Sequence, residues 1–327
     1  MSKLVTIYGG SGFVGRYVAR RMAKAGWRVR VAVRRPNEAI FVKPYGVVGQ
    51  VEPVFCNIRD DASVRQALQG ADAVVNCVGI LAEAGKNRFD TVQAEGATRI
   101  ARIAAQQGIT SMVHISAIGA DAESDSEYAR SKAEGEAGIL QHFPNAVILR
   151  PSIIFGAEDQ FFNRFAAMTR LSPLLPVVGA DTRFQPVYVD DVARAAEVAL
   201  TSSGVTPGVY ELGGPDVATF RELMEQMLTT IHRRRLIVGI PFFVARIMGF
   251  MFDMGHSISL GLIPAAITRD QVRNLARDNV VSEGAQKFDA LGISPTAMAA
   301  VLPDYLWRFR PSGQYDAIKE SAKNLRT

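Results

Sequence analysis

Short apolar runs alternate with amphipathic stretches along the first half of the chain. KLVTIYG (3–9), RVRVAVR (28–34), VEPVFCN (51–57), ADAVVNCVG (71–79), SMVHIS (111–116) and NAVILRP (145–151) are rich in β-branched residues and apolar almost throughout. Such runs predict strands buried on both faces. Between them, GRYVARRMAKAG (15–26) and DASVRQALQGA (61–71) place apolar residues at helical spacing with charge on the other side. Repeated strand–helix units of this kind predict an α/β fold, a parallel sheet wound on both faces by right-handed crossovers.

After Pro151 the alternation loosens. FQPVYVDDVARAAEVAL (184–200) predicts one further strand and helix that return to the sheet, so residues 1–150 with 181–203 form the larger unit. Residues 151–180 and 204–327 are then expected to build a smaller α+β domain over the strand ends. Within it TFRELMEQMLTTI (219–231) predicts a helix. Thr219 and Glu222 have capping-box spacing, and Phe220, Leu223, Met224, Met227, Leu228 and Ile231 form one apolar stripe suited to core packing. The tail after Pro311 is polar and expected to be loosely held.

Composition narrows the class without naming a chemistry. An apolar fraction of 48% and a charged fraction of 21% are those of a globular protein. The net charge of +5 favours anionic partners, but the basic residues are scattered and no nucleic-acid recognition motif accompanies them. Cys56 and Cys77 both sit in strand-like runs and are expected to be small reduced core residues; the four histidines share no ligand spacing, so no metal site is expected. The first strand begins at Lys3, which is read as leaving no room for a signal peptide. The most apolar stretch, 236–267, is interrupted by Pro241, Arg246, Asp253, His256 and Pro264, short of the about 20 residues that span a bilayer.

The first strand runs directly into GGSGFVG, with Gly9, Gly12 and Gly15 in a G-x-x-G-x-x-G spacing ahead of a helix. Between a first strand and a first helix, this spacing provides a tight turn, close approach to a pyrophosphate, and a helix N-terminus aimed at the anion. Ser11, Gly12, Phe13, Val14 and Gly15 are then the residues whose backbone meets phosphate, and the sheet is of the Rossmann type. The second strand ends in VAVRRP, where an acid would read the ribose 2′-hydroxyl of NAD; Arg34 and Arg35 stand there instead and favour the 2′-phosphate of NADP(H). Asn57 and Ile58 follow the third strand, where they would meet the adenine, and Val78 and Gly79 end the fourth, where bare backbone can lie along a cofactor.

HISAIGA places Ser116 just beyond the fifth strand, and YARSK places Tyr128 and Lys132 one helical turn apart on one face. Together they predict a hydride-transfer site: Lys132 holds the ribose and lowers the Tyr128 pKa, Tyr128 moves a proton at the substrate oxygen, and Ser116 polarises that oxygen.

On these motifs, continued by LRPSIIFG and GVYELGG, the chain resembles extended or atypical short-chain dehydrogenases/reductases over roughly its first two-thirds. VVNCVGIL, ILRPSIIFGAEDQFFNRF, FQPVYVDDVARA and the late DYLWRFRP narrow the resemblance to NADPH-binding accessory subunits of respiratory complex I. That resemblance implies a nucleotide held structurally in a cradle of Gly9, Gly12, Gly15, Arg34, Arg35, Ser116, Tyr128 and Lys132. It also implies that Pro151, Ser152 and Ile153 complete the nicotinamide side. The implied partners are the other subunits of complex I, and the implied place is the cytoplasmic side of a bacterial inner membrane, peripherally attached. Asn57 departs from the acid common in extended enzymes.

Three consecutive arginines, 233–235, precede a Phe/Met-rich stretch in which Phe243, Ile247, Phe250, Met251 and Met254 share a helical face while Phe242, Met248 and Phe252 spread apolarity around it. Three readings stand: a buried helix; a docking surface for a hydrophobic partner or a membrane, with His232 to Arg235 meeting acidic side chains or anionic phosphate headgroups; or, in an active reductase, a roof over the substrate pocket. For the whole chain, an accessory subunit, a working reductase, epimerase or dehydratase, and a redox-sensing regulator all fit this constellation.

Overall fold

The six apolar runs become strands β1 (Leu4–Tyr8), β2 (Arg28–Val33), β3 (Val51–Phe55), β4 (Ala73–Asn76), β5 (Ser111–Ile115) and β6 (Val147–Pro151). Between them lie helices α1 (Phe13–Lys24), α2 (Asp61–Leu68), α3 (Glu95–Gln106) and α4 (Glu127–His142). The structure is a computed structural model and describes residues 2–258, 268–313, 315 and 322. After β6 come β7 (Ile154–Phe155), α5 (Phe162–Leu171), β8 (Leu174–Val178), β9 (Arg183–Phe184), β10 (Val187–Tyr188), α6 (Val189–Thr201) and β11 (Gly208–Leu212). The chain closes with β12 (Ala218–Thr219), α7 (Phe220–Thr230), β13 (Leu236–Ile240), α8 (Phe242–Ile258), α9 (Arg269–Asn274) and α10 (Met298–Leu306).

Seven parallel strands form the central sheet in the order β11-β6-β5-β4-β1-β2-β3. Chain direction across the sheet reverses between β1 and β4, which opens a crevice at their C-terminal ends. Alternate strand residues feed two cores. Val5, Ile7, Val29 and Val31 pack under α1 and α6, joined by Phe288, Leu291 and Ile293 from late in the chain. Tyr8, Ala32, Val74 and Met112 pack under α2, α3 and α4.

Two expectations about the strands change. β3 is the sheet edge, not a strand buried on both faces: Phe55 is 64% exposed, and Pro53, which lacks an N–H, suits an edge. In FQPVYVDDVA, Phe184 ends β9, which pairs with β12, and Val187–Tyr188 form β10, which pairs with β7; neither joins the main sheet. The seventh sheet strand is β11, from a segment expected in the smaller domain; it pairs with β6 along its whole length. Val209 and Tyr210 supply the β-forming run there, whereas Pro186 stands immediately before β10.

A third core joins α5, α7 and α10 around Phe155, Phe184 and Leu175. The α7 stripe is buried as its spacing predicts, and both halves of the Thr219–Glu222 capping box form. The buried Asp159 links this core to the loop after β7, accepting from Tyr305 Oη at 2.6 Å, Asn163 N at 3.0 Å and Gly156 N at 3.2 Å.

Over its described side chains, residues 242–251, α8 is not the buried helix of the first reading. Ala245 is buried in a small cluster with Val178 and Val272, while Phe243, Ile247, Phe250 and Met251 are exposed. The Phe252 and Met254 side chains, Pro264 and most of the tail after Pro311 lie outside the described residues. Arg233 and Arg235 turn toward their own fold, donating to the carbonyls of Phe309 (2.8 Å) and Thr169 (2.9 Å). Among the described residues no helix is long and apolar enough to cross a membrane.

Tyr305→Phe removes a donor from a buried carboxylate, and hydrogen bonds to charged groups contribute about 1.5–3 kcal/mol. The variant is expected to lose stability of that order in urea unfolding; a midpoint and slope equal to wild type would contradict this.

Candidate functional site

The residues singled out in the sequence gather along the C-terminal edge of the sheet, around the crevice between β1 and β4. Gly9 adopts the left-handed region (φ 71°), and a Cβ there would lie 3.2 Å from the Cys77 carbonyl and from Val78 Cγ2. A Cβ at Gly15 would collide with the Gly9 carbonyl oxygen and come within 2.7 Å of Gly10 Cα, so α1 can press on the β1 turn only without one. Gly12 N donates to the Gly9 carbonyl at 2.9 Å, and Gly12 is the N-cap of α1. No side chain caps this terminus and no acid stands in its first turn, so the first amides, Phe13 and Val14 included, present an open positive end. Ser11, half-buried, precedes it and accepts at its carbonyl from Arg16 Nη2 at 3.2 Å.

At the rim, Arg34 and Arg35 are both exposed but differently engaged. Arg35 pairs with Glu38 at 2.9 Å, whereas Arg34 donates to the neutral Asn87 Oδ1 at 3.0 Å. The expected arginine pair is thus one uncommitted charge and one partly neutralised charge. Asn57 Oδ1 accepts from Arg59 N at 3.2 Å, and Arg59 Nη1 donates to the Lys86 carbonyl at 2.8 Å. Residues 86–87 therefore meet two guanidinium groups, of which only Arg34 was expected. Ile58 packs on α3 at Gly96, where a Cβ would come 2.9 Å from Ile58 Cδ1.

Gly79 opens the crevice toward α4: a Cβ there would lie 3.4 Å from Lys132 Nζ and 3.7 Å from Gln93 Oε1. Val78 N donates to Asn76 Oδ1 at 3.1 Å and holds this turn. Lys132 is buried, donates to the Ile115 carbonyl at 3.3 Å, and has its ammonium 6.0 Å from the Tyr128 ring centre. Burial lowers its pKa to about 8, against the opposing charges of Glu136 and Cys77. Gln93 Oε1 and both nitrogens of His114 are buried without a hydrogen-bond partner. Burial, with the Lys132 charge adding, lowers the His114 pKa to about 3, so that imidazole is neutral.

Three expected roles do not match the geometry. Tyr128 is not acidified by Lys132: burial and then the Asp270 carboxylate push its pKa up to about 12, so the phenol keeps its proton. The Ser116 hydroxyl donates to Glu136, on α4 one turn beyond Lys132. Arg150 holds the same carboxylate through Nε at 2.9 Å and Nη2 at 2.5 Å. With its single proton spent there, Ser116 has none to give a substrate oxygen. Pro151 ends β6, but the polar groups beyond it are taken: Ser152 Oγ donates to Asn279 Oδ1 at 2.7 Å, and Ile153 N donates to the same oxygen at 3.1 Å.

Asp270 bonds the start of α4 directly, accepting from Glu127 N and Ser126 Oγ, both at 2.8 Å, and from Tyr128 N at 3.2 Å. Of the groups the sequence reading missed, only Glu136, four residues past Lys132 on one helix, carried a local signal; Asp270 and Asn279 lie more than a hundred residues from their partners. Among the described residues no group of three His, Cys, Asp or Glu could hold a metal. A turn that a Cβ would fill, an uncapped helix end, the Arg34 guanidinium, unpaired with any acid among the described residues, at the rim and a buried ammonium beside bare backbone fit a dinucleotide from pyrophosphate to nicotinamide ribose.

Comparison with known proteins agrees with this geometry. The sequence pattern of the NAD dependent epimerase/dehydratase family matches residues 5–213. An Arabidopsis thaliana protein, NADH dehydrogenase [ubiquinone] 1 alpha subcomplex subunit 9, mitochondrial, is 34% identical over 95% of this chain and 79% of its own. A ceramide reductase of Caulobacter vibrioides is 30% identical over 73% of this chain and 74% of its own. The fold matches that of an NADPH-dependent quinone oxidoreductase of Escherichia coli solved with NADPH. Its TM-score is 0.70 at 17% identity, over 92% of this chain and 98% of that one.

The depressed Lys132 pKa has a definite consequence for nucleotide-free protein. Between about 8 and the ordinary lysine value of 10.5, the unfolded chain binds the Lys132 proton and the folded one does not, so this group's contribution to stability rises with pH in that window. Below it, the full cost of burying the charge is present. Lys132→Met is therefore expected to be more stable than wild type at neutral pH, with an advantage that shrinks as pH rises above 8. Denaturant midpoints of the two proteins across that range check it, and a pH-independent difference would contradict it.

Proposed function

This chain belongs to the NAD dependent epimerase/dehydratase family, and we propose that it holds NADP(H) as a peripheral accessory subunit of respiratory complex I. In this reading it sits on the cytoplasmic face of a bacterial inner membrane, and the nucleotide serves the stability and assembly of the complex. The α1 amides meet the pyrophosphate, Arg34 the 2′-phosphate, Asn57 and Ile58 the adenine, and Lys132 the ribose hydroxyls. A nicotinamide so bound supplies hydride chemistry in principle. The observation that carries the structural reading is the Ser116 proton, committed to Glu136 rather than left to polarise a substrate carbonyl. The exposed apolar residues of α8 offer a face for hydrophobic subunits, and anionic lipid headgroups are a second partner for this basic protein.

A second reading, an active reductase of the extended short-chain type, is favoured by Tyr128 and Lys132. They share the crevice face of α4, Tyr128 holds its proton, and the Caulobacter relative is a reductase by name. Tyr128→Phe separates the two. Under the structural reading it leaves nucleotide content and complex assembly unchanged; under the enzymatic one it abolishes a measurable turnover while nucleotide stays bound.

Two outcomes are expected. After mild detergent extraction of native membranes the protein sediments with NADH:quinone oxidoreductase activity; recovery as free monomer alone would sink the assignment. Arg34→Ala should reduce the preference for NADPH over NADH by about ten- to a hundredfold, the loss of one charge-assisted phosphate contact. An unchanged ratio in equilibrium titrations would remove Arg34 from the 2′-phosphate site.

A further inference from the structure

Gln93 is a buried side chain with one end of its amide bound and the other not. Its nitrogen donates to Ser131 Oγ at 3.4 Å. The Ser131 hydroxyl spends its single proton on the Tyr128 carbonyl at 2.9 Å, so toward Gln93 it can only accept. That network fixes which way the amide points: nitrogen to Ser131, Oε1 away from it. Oε1 has no hydrogen-bond partner among the described residues, and a buried carbonyl oxygen left so calls for a reason.

The oxygen faces the crevice at Gly79. A Cβ on Gly79 would stand 3.7 Å from Gln93 Oε1 and 3.4 Å from Lys132 Nζ. A neutral acceptor and a charged donor thus border one point beside exposed backbone that carries no side chain. Lys132 does not satisfy the oxygen; its ammonium donates to the Ile115 carbonyl instead. The backbone that carries Gln93 departs from the α-helix as well. Residues Asp90–Ala94 form a π-helical turn immediately before α3, with Glu95 N donating to the Asp90 carbonyl. Such turns are frequent at functional sites. Gly135 of α4 presses on this turn so closely that a Cβ there would collide with the Gln93 main-chain carbonyl, which holds the turn in place.

Resting on the nucleotide-binding reading above, we propose that Gln93 is the acceptor that reads a hydroxyl of the nicotinamide ribose, opposite the Lys132 donor. A hydroxyl suits the pair because one oxygen both accepts an N–H and donates its own proton. It accepts from Lys132 Nζ and donates to Gln93 Oε1, so the orphaned carbonyl gains the partner that the protein alone does not give it. Gln93 therefore stands at a cost to the stability of the free protein and serves its affinity for nucleotide.

The test measures two affinities by equilibrium titration, together with urea unfolding in the absence of nucleotide. The ligands are NADPH and adenosine 2′,5′-bisphosphate, which carries the adenosine half and no nicotinamide ribose. Gln93→Met keeps the length and removes the acceptor. It is expected to weaken NADPH about tenfold, the worth of one hydrogen bond, to leave the bisphosphate unchanged, and to raise the unfolding midpoint of the free protein. A side chain that only holds the fold would do the reverse, lowering the midpoint and weakening both ligands alike. Should the methionine variant not fold, Gln93→Asn, which draws the oxygen back by one carbon, should show the same loss for NADPH alone. NADPH affinity equal to wild type in a folded variant, or an equal loss for both ligands, overturns the role of Gln93 and leaves nucleotide binding standing. Wild-type protein that takes up neither ligand overturns both.

Discussion

A carboxylate buried at the edge of a sheet must be fully partnered, and Glu136 is where this fold meets that demand. Ser116 from the end of β5 and Arg150 from β6 hold it, and Arg150 approaches Glu211 of β11 at 3.8 Å. Removing one partner of such a buried pair costs about 3–5 kcal/mol, because the other charge is left uncompensated. The network therefore fixes α4 against three strands. Tyr128 and Lys132 ride on that helix, so the position of the whole nicotinamide face descends from one buried acid. The same bonds remove Ser116 from chemistry: the requirement that builds the site also limits it.

Late segments of the chain complete the site rather than merely covering it. β11 and the segment 284–293 return to the main sheet, while Asp270 occupies donors at the start of α4 and Asn279 those just beyond β6. Lys132 stays desolvated beneath, beside the unpartnered Gln93 Oε1. A crevice with a cradle at one end and the chain's own side chains at the other is suited to holding a nucleotide and less suited to admitting a second reactant.

What was legible in the sequence follows the range of the interactions. Strand runs, the glycine turn and the α7 capping box are set by neighbours within a few residues, and they stand where the periodicity puts them. The edge position of β3 and the role of β11 depend on sheet order, which periodicity does not encode. The Ser–Tyr–Lys spacing was legible, but the direction of the Ser116 hydroxyl was not, because its acceptor is set by α4 packing on β5. Asp270 and Asn279 were invisible, since nothing local marks an aspartate or an asparagine as the partner of a distant backbone amide.

Under the accessory-subunit reading proposed above, the nucleotide is held and not consumed. The decisive measurement extracts the tightly bound nucleotide from washed NADH:quinone oxidoreductase before and after it turns over NADH and quinone, and quantifies the NADPH signal by chromatography. The bound NADPH signal is expected to persist through many turnovers. Loss of that signal at the pace of quinone reduction would contradict it.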